Sequence, residues 1–336
     1  MRKILVTGGA GYIGSHTCVS LAAANVPFVI LDNFSNSSEK VLSRLESITH
    51  SSIEVEKGDI RDAKFLQDVF ERNKYSSVIH FAGLKSVSES SDIPEVYYEN
   101  NVSGTINLIR SMIDNDVKSL IFSSSATVYG VPNKCPVTED FPLSATNPYG
   151  RTKLMVEEIL ADLYKSDPSW SIACLRYFNP IGAHESGTIG ESPKGIPNNI
   201  APYITQVAIG VRNNLKIFGS DYPTKDGTGV RDYIHVMDLA EAHLAALNYL
   251  MRERKHVAFN IGTGSGISVL ELVSAFERAI EKTIPWMLTD RRSGDIAECW
   301  ADPAHANKEL GWVATRDINM MCRDAWKWQK NNPNGY

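Results

Sequence analysis

Short apolar runs alternate with amphipathic stretches through the first half of the chain. Lys3–Thr7, Pro27–Leu31, Ile53–Glu56, Ser77–Phe81, Ser119–Phe122 and Ser171–Tyr177 have the length and composition of buried strands. Between them the spacing turns helical: an apolar-rich segment from Gly14 to about Ala24, then Phe65, Leu66, Val69 and Phe70. Val96, Tyr97, Val102, Ile106, Leu108, Ile109, Met112 and Ile113 predict one long helix from Pro94 to Asn115. Its apolar surface is broader than a single stripe, which calls for a partner helix from this chain or a second subunit. A further helix is expected to open at Pro148 and run roughly to Lys165. Strands alternating with helices predict a parallel α/β sheet. Beyond Asn179 the texture changes: Gly, Pro and Asn cluster from Pro180 to Pro202, and helical periods look shorter and less regular. The expected division is residues 1–178, joined by a later segment near 230–262, and a second unit over 179–336.

Composition narrows the function classes. A chain of 336 residues can bury one large or two medium cores. A net charge of −5 argues against a nucleic-acid-binding face. Cys18, Cys135, Cys174, Cys299 and Cys322 stand singly, so neither a disulfide framework nor a CxxC site is expected. A reducing compartment is the natural setting for them. The apolar run at the start is too short for a signal peptide, and no run approaches the length of a membrane span. The expectation is a soluble, cytoplasmic protein without membrane contact. Asn36 and Asn101 head glycosylation triplets that mean nothing without secretion. No His, Cys, Asp and Glu grouping has metal-ligand spacing, and His80 reads as a core or strand-end histidine.

The chemistry begins where the first strand ends. Gly8-Gly9-Ala10-Gly11-Tyr12-Ile13-Gly14 places a glycine-rich turn between a strand and a helix, so Gly8, Gly11 and Gly14 let backbone amides approach a pyrophosphate. Asp32 closes the second strand about twenty residues later. A carboxylate there accepts ribose hydroxyls and repels a 2′-phosphate, which favours NAD over NADP. Asp59 could bond an adenine amine with Ile60 packed on the ring, or it could cap the helix that follows. Ala82-Gly83 offers backbone without bulk beside a cofactor. Ser123-Ser124-Ser125 ends a strand on the side where doubly wound sheets bind ligands. Tyr149 and Lys153 share one helix face, and an ammonium beside a phenol makes proton abstraction from a hydroxyl feasible. Taken alone, such a pair is usually a surface feature; the strand–turn–helix context is what singles it out.

With the glycine turn and Tyr149-Gly150-Arg151-Thr152-Lys153 both in place, the chain resembles the extended short-chain dehydrogenase/reductase superfamily. Within it, the likeness is to enzymes that invert C4 of a UDP-hexose. It extends over essentially the whole length, through Ser123–Gly130, Arg176–Pro180, Gly195–Asn199 and Gly229–Val236. The resemblance implies a Rossmann-like doubly wound parallel sheet with a smaller mixed α/β C-terminal domain. It implies a homodimer, and interconversion of UDP-glucose and UDP-galactose in galactose metabolism. In that reading Tyr149 takes the 4-hydroxyl proton while the C4 hydride moves to NAD, Ser125 bridges hydroxyl and phenol, and Lys153 keeps the phenol acidic. The same hydride returns to the other face of the 4-keto sugar, so the cofactor stays bound.

The resemblance also assigns binding residues. Gly8, Gly11, Tyr12, Ile13, Gly14, Asp32, Asn33, Asp59 and Ile60 would hold NAD, with Phe81, Ala82, Lys85, Asn100, Tyr149, Lys153 and Tyr177. Asn179, Asn199, Lys216, Phe218, Arg231, Tyr233, Arg292 and Asp295 would hold the nucleotide sugar with Ser125 and Tyr149. Arginines suit a diphosphate and Phe218 offers a stacking face. Some relatives carry tyrosine where this chain has Cys299, so N-acetylated sugars are expected to fit. Sister 4,6-dehydratases need an acid pair after the serine, where this chain has Ala126-Thr127. A UDP-glucuronate epimerase or decarboxylase is harder to separate. A dinucleotide sensor without catalysis would be expected to lack Ser125, Tyr149 or Lys153.

Overall fold

Alternate side chains of the early strands face opposite ways, and both sets are apolar, so helices must cover both faces of one sheet. The computed structural model describes residues 2–292 and 294–336. Its strands are β1 (Lys3–Thr7), β2 (Phe28–Asp32), β3 (Val55–Lys57), β4 (Tyr75–His80), β5 (Ser119–Ser125), β6 (Ser171–Tyr177) and β7 (Asn179–Ile181). They continue as β8 (Leu215–Phe218), β9 (Val230–His235), β10 (His256–Ile261), β11 (Gly266–Ser268), β12 (Trp286–Thr289) and β13 (Glu298–Cys299). Seven of them form a parallel sheet in the order β10-β6-β5-β4-β1-β2-β3. Val6, Ile30, Ile79, Ile121 and Ala173 pack on one face with helices Tyr12–Ala23 and Val236–Arg252. Leu5, Val29, Val78, Leu120 and Ile172 pack on the other, with helices Ala63–Arg72, Gly104–Asp114 and Pro148–Ser166. Each such fully buried side chain contributes roughly 1.5–3 kcal/mol. Strand order reverses between β1 and β4, which opens a crevice at their carboxyl ends.

A smaller sheet runs β11-β9-β13 with β7 alongside β9, and β8 pairs with β12. The chain thus leaves the large sheet after β6, builds β7 to β9, and returns through helix Val236–Arg252 and β10. The expected irregularity beyond Asn179 does not persist. Helices Val236–Arg252, Val269–Ile280 and Ile318–Asn331 are long and regular. The first hides its period because small and polar residues, Ala240, Ala242, His243 and Ala246, occupy its buried face. The second carries a full capping box of Ser268 and Glu271.

Two local expectations change. The segment Pro94–Asn115 keeps a helical path but takes a π turn at Glu99–Ser103 between Pro94–Tyr98 and Gly104–Asp114. The widened turn places Asn101 inward, where its side chain bonds Leu84 N (2.8 Å), Leu84 O (3.0 Å) and Thr152 Oγ1 (3.0 Å). Helix Ala63–Arg72 is capped by Asp62, which accepts from Phe65 N at 2.9 Å, so Asp59 is not the cap.

One buried ion pair crosses the layers. Arg176 on β6 donates to Glu157 of helix Pro148–Ser166 at 2.6 Å, and Ser124 on β5 donates to the same carboxylate at 2.5 Å. Removing one partner strands the other charge in the core. Glu157→Ala is therefore expected to lose about 3–5 kcal/mol in urea unfolding. Pairing Glu157→Leu with Arg176→Met should recover much of it, and a single-variant loss under about 1 kcal/mol would mean that water reaches Arg176.

Candidate active site

The crevice at the carboxyl ends of the large sheet is a cleft of about 500 Å³. β1 delivers Gly8 in the left-handed region at φ 69°, and a Cβ there would lie 2.6 Å from Ala82 N. A Cβ at Gly14 would lie 2.4 Å from Gly8 O, so strand, turn and helix close up only without side chains. Gly11, Tyr12 and Ile13 open the helix into the cleft with no acidic residue in its first turn. That end is suited to an anion. Asp32, at the end of β2, accepts from Ala10 N, Phe34 N and Ser37 Oγ, each at 2.9 Å. Its carboxylate is locked beneath the glycine turn. Asn33 and Ile60 line the same end of the cleft. Asp59 stands outside the lining, bonded to Asn33 at 2.8 Å and paired with Arg61 at 2.8 Å. A glycine cradle, an open helix N-terminus and a ribose-side carboxylate without a basic partner fit a dinucleotide lacking a 2′-phosphate.

The loop after β4 contributes Phe81, Ala82 and Lys85, and the π turn contributes Asn100. At the β5–β6 end lie Tyr149, Lys153 and Tyr177. Pro148 occupies the first turn of their helix, and Asn147 caps it by accepting from Gly150 N at 2.8 Å. One turn then separates the phenol from the ammonium. Lys153 is buried and donates to Ser123 O at 2.6 Å, with Nζ 4.9 Å from the Phe122 ring centre and 5.9 Å from that of Tyr149. Burial lowers its pKa to about 8, against the opposing pull of Glu157 one turn on. Burial raises the Tyr149 phenol, and a hydrogen bond with Ser125 works the other way. Ser125 ends β5 and accepts from Thr127 Oγ1 at 2.9 Å. Tyr177 meets His243 Nε2 at 2.5 Å; that imidazole faces Leu239 O through Nδ1 and is lowered to about 4 by burial.

Of the residues expected to hold a nucleotide sugar, Tyr149 alone lines this cleft; besides Ser125 at the end of β5, the others fall into three places. Asn179 opposes Tyr233, and Arg231 opposes Cys299, where β7, β9 and β13 run side by side. Tyr233 is buried, and burial pushes the Cys299 thiol up to about 12. Phe218 at the end of β8 lies under the Arg292 guanidinium at 4.6 Å, and Arg292 pairs with Asp295 at 2.9 Å; Lys216 is exposed on the same strand. Asn199, just before helix Ile200–Ala208, donates to Glu191 at 2.6 Å. His80 is a core residue, bonded to Thr7 and Thr105.

Several residues of the site were not singled out from sequence. Glu191, Lys194 and Tyr336 line the cleft. Lys194 donates to Phe34 O (2.9 Å) and Ser35 O (2.7 Å), so the stretch after β7 straps across the loop that follows Asp32. Tyr336 bonds Gly190 and stacks with Trp328. Nothing local marks them. Asn101 carried a signal, a polar residue inside an apolar helix, but read only as a glycosylation triplet.

Comparison with known proteins follows the same lines. The family model described as GDP-mannose 4,6 dehydratase matches residues 5–325. The chain is 57% identical over 333 residues to UDP-glucose 4-epimerase of Bacillus subtilis, covering 99% of this chain and 98% of that one. It is 59% identical over 335 residues to the enzyme of that name from Dictyostelium discoideum, covering 99% and 97%. The structure superposes on UDP-glucose 4-epimerase from Bifidobacterium longum, solved with NAD+ and UDP, with a TM-score of 0.97 at 49% identity, over 99% of this chain and 100% of that one.

The Lys153 environment has a pH signature. Between about 8 and the ordinary lysine value near 10.4 the unfolded chain holds a proton that the folded chain has released, so stability rises with pH there. Relative to Lys153→Met, the ligand-free protein is expected to gain about 2 kcal/mol in denaturant unfolding between pH 8 and 10. A flat difference would remove the burial argument.

Proposed function

The chain belongs to the UDP-glucose 4-epimerase family of the extended short-chain dehydrogenases/reductases, and we propose how its own residues carry that family's reaction. It is an NAD-dependent isomerase that interconverts UDP-glucose and UDP-galactose by inverting C4 through a transient 4-keto sugar. The observation that carries the reading is the pairing of half-buried Tyr149 with buried Lys153 one helical turn on, at the β5 end of a glycine-cradled cleft. NAD, when bound, supplies the acceptor and donor for the C4 hydride. Tyr149 removes the 4-hydroxyl proton and returns it after the sugar turns, with Ser125 sharing the hydrogen bond to the oxygen. Lys153 holds the ribose beside the phenol and favours the phenolate electrostatically. Gly8, Gly11, Gly14, Asp32 and Lys85 are the main holds on the dinucleotide, with Asp59 acting through Asn33.

Residues 179–336 form the nucleotide-sugar half in this proposal, and 1–178 with the segment near 230–262 the cofactor half. Arg231 and Arg292 meet the diphosphate, Phe218 stacks on uracil, and Asp295 accepts ribose hydroxyls. Asn179 and Cys299 face the sugar. Small Cys299 leaves room for an N-acetyl group. We place the protein in the cytoplasm, in galactose metabolism, as a homodimer joined through helices Gly104–Asp114 and Pro148–Ser166, on which Ile113 and Met155 are exposed. No described helix is long and apolar enough to cross a membrane. A dehydratase reading, which the name of the family model invites, lacks its acid pair. After Ser125 come Ala126 and Thr127, and Thr127 spends its hydroxyl on Ser125.

Product analysis of the purified protein on UDP-galactose, with no NAD added, should yield UDP-glucose; UDP-xylose from UDP-glucuronate instead would favour the decarboxylase. Tyr149→Phe should retain bound NAD and lose turnover by about 10²–10⁴-fold, whereas unimpaired turnover would remove the acid–base assignment. UDP-GalNAc should also be epimerised, and Cys299→Tyr should abolish that activity while sparing UDP-galactose. A wild-type protein inert on UDP-GalNAc would refute the pocket argument.

A further inference from the structure

Ser125 is met twice by one residue. Thr127 N donates to Ser125 Oγ at 3.2 Å, and Thr127 Oγ1 donates to the same atom at 2.9 Å. The first bond caps the short helical turn Ala126–Tyr129, and any residue with a backbone N–H would supply it. The cap does not need the second. A serine hydroxyl has one proton to give and two lone pairs to fill. Thr127 fills both lone pairs, so Ser125 is left as a donor only, and Tyr149 is the partner it faces. Thr127 is itself held in place. Its turn buries Val128 and Tyr129, Val128 O accepts from Ser144 N at 2.9 Å, and Thr127 O accepts from Gly130 N at 3.3 Å. Across from it stands Gly150, the residue after Tyr149. A Cβ at Gly150 would lie 3.0 Å from Thr127 O and 3.2 Å from Thr127 Oγ1, inside ordinary van der Waals contact. The bare glycine leaves room for that hydroxyl between the end of β5 and the first turn of helix Pro148–Ser166.

We propose that Thr127 is a positioning residue that makes Ser125 a one-way hydrogen-bond donor to the sugar 4-oxygen, so that Tyr149 alone takes and returns the proton. The proposal rests on the functional reading given above, in which that oxygen bonds both Ser125 and Tyr149. A serine with a free lone pair could accept the 4-hydroxyl proton and pass its own to the phenol. With both lone pairs filled, that two-proton relay is closed. Ser125 instead donates to the 4-oxygen throughout. It acidifies the hydroxyl while Tyr149 removes its proton, and it polarises the ketone while the hydride returns. In each half of the reaction one proton passes between the 4-oxygen and Tyr149, and one hydride between C4 and the bound dinucleotide. The Ser125 proton stays on its own oxygen. Donation from Thr127 also polarises the Ser125 O–H bond and strengthens it as a donor.

The test is a double-mutant cycle on the NAD-bound enzyme with Thr127→Val, Ser125→Ala and the pair, read as kcat and KM for UDP-galactose. Valine keeps the shape and the backbone N–H of threonine, so the cap stays and only the hydroxyl goes. Thr127→Val is expected to lose about tenfold in kcat, the worth of one well-placed hydrogen bond, with KM and bound NAD unchanged. Thr127→Ser should restore most of the turnover. A relay through Ser125 predicts the opposite, since freeing a lone pair would leave kcat unchanged or raise it. Because Thr127 acts through Ser125, the pair should turn over no more slowly than Ser125→Ala alone. A residue that only braced the turn would lower kcat again in the Ser125→Ala background. Losses that multiply in the pair, or a Thr127→Val enzyme as fast as wild type, overturn the positioning role and leave the functional reading intact. If Thr127→Val yields no soluble protein, the same cycle with Thr127→Ala decides by the same outcomes. Wild type that makes no UDP-glucose from UDP-galactose overturns both.

Discussion

Three successive serines on β5 meet the two buried charges of helix Pro148–Ser166, and the site depends on that match. Ser123 gives its carbonyl to Lys153, Ser124 gives its hydroxyl to Glu157, and Ser125 faces Tyr149. Lys153 and Glu157 are one helical turn apart and both buried, so neither could sit there unless its charge were answered. Arg176 from β6 completes the set with a bidentate grip on Glu157. A slip of the helix by one residue along the sheet would break all of these bonds at once. The Tyr149 side chain is therefore only as well placed as the buried pair two turns further along its helix.

The smaller sheet uses the same device with opposite economy. Asp232 on β9 is fully buried and has no cation among the partners it binds. It accepts from Thr263 N and Oγ1, Gly264 N and Ala301 N instead. Burial raises its pKa and these bonds oppose the rise. A Cβ at Gly262 would lie 2.5 Å from its carboxylate, so the chain returning from β10 closes directly on it. Arg231 and Tyr233 flank Asp232 and point to the other face of the strand. Fixing the middle residue fixes the direction of both neighbours. The large sheet is held by ion pairing and the small one by amide donors, yet each sets the residues that would face a ligand.

What could be read from sequence was what is decided locally. Gly8 and Gly14 are demanded by a turn of seven residues, and Asp32 follows from where a strand ends. Tyr149 and Lys153 follow from one helical turn after a proline. The π turn at Glu99–Ser103 was invisible because the apolar residues on both sides keep the same period to within a residue. Asn101 and Glu191 stayed hidden for another reason. Their partners Thr152 and Lys85 lie 51 and 106 positions away, and only the closed sheet brings them together. The family resemblance could name Phe218, Arg292 and Asp295, but not that they form one cluster away from the cleft, because β8 and β12 pair across the 67 residues between them. Helix Val236–Arg252 escaped because Ala240, Ala242, His243 and Ala246 share its buried face with Leu239, Leu247 and Leu250 and blur the apolar period.

Burial and Ser125 do not by themselves make Tyr149 a base. Burial holds the phenol above its ordinary value, and the hydrogen bond from Ser125 offsets only part of that rise. Lys153, the obvious source of positive charge, directs its ammonium to the Ser123 carbonyl, and its own pKa is lowered towards neutrality. Near neutral pH the phenol therefore stays protonated, while Lys153 keeps most of its charge but directs it at that carbonyl. The phenolate becomes favourable only when positive charge is added beside the ring, because the interaction of opposite charges strengthens as water is excluded. In the proposed mechanism that charge comes with the cofactor, and proton abstraction depends on it. Such an arrangement suits a reaction in which a ketone must be reduced again before it escapes.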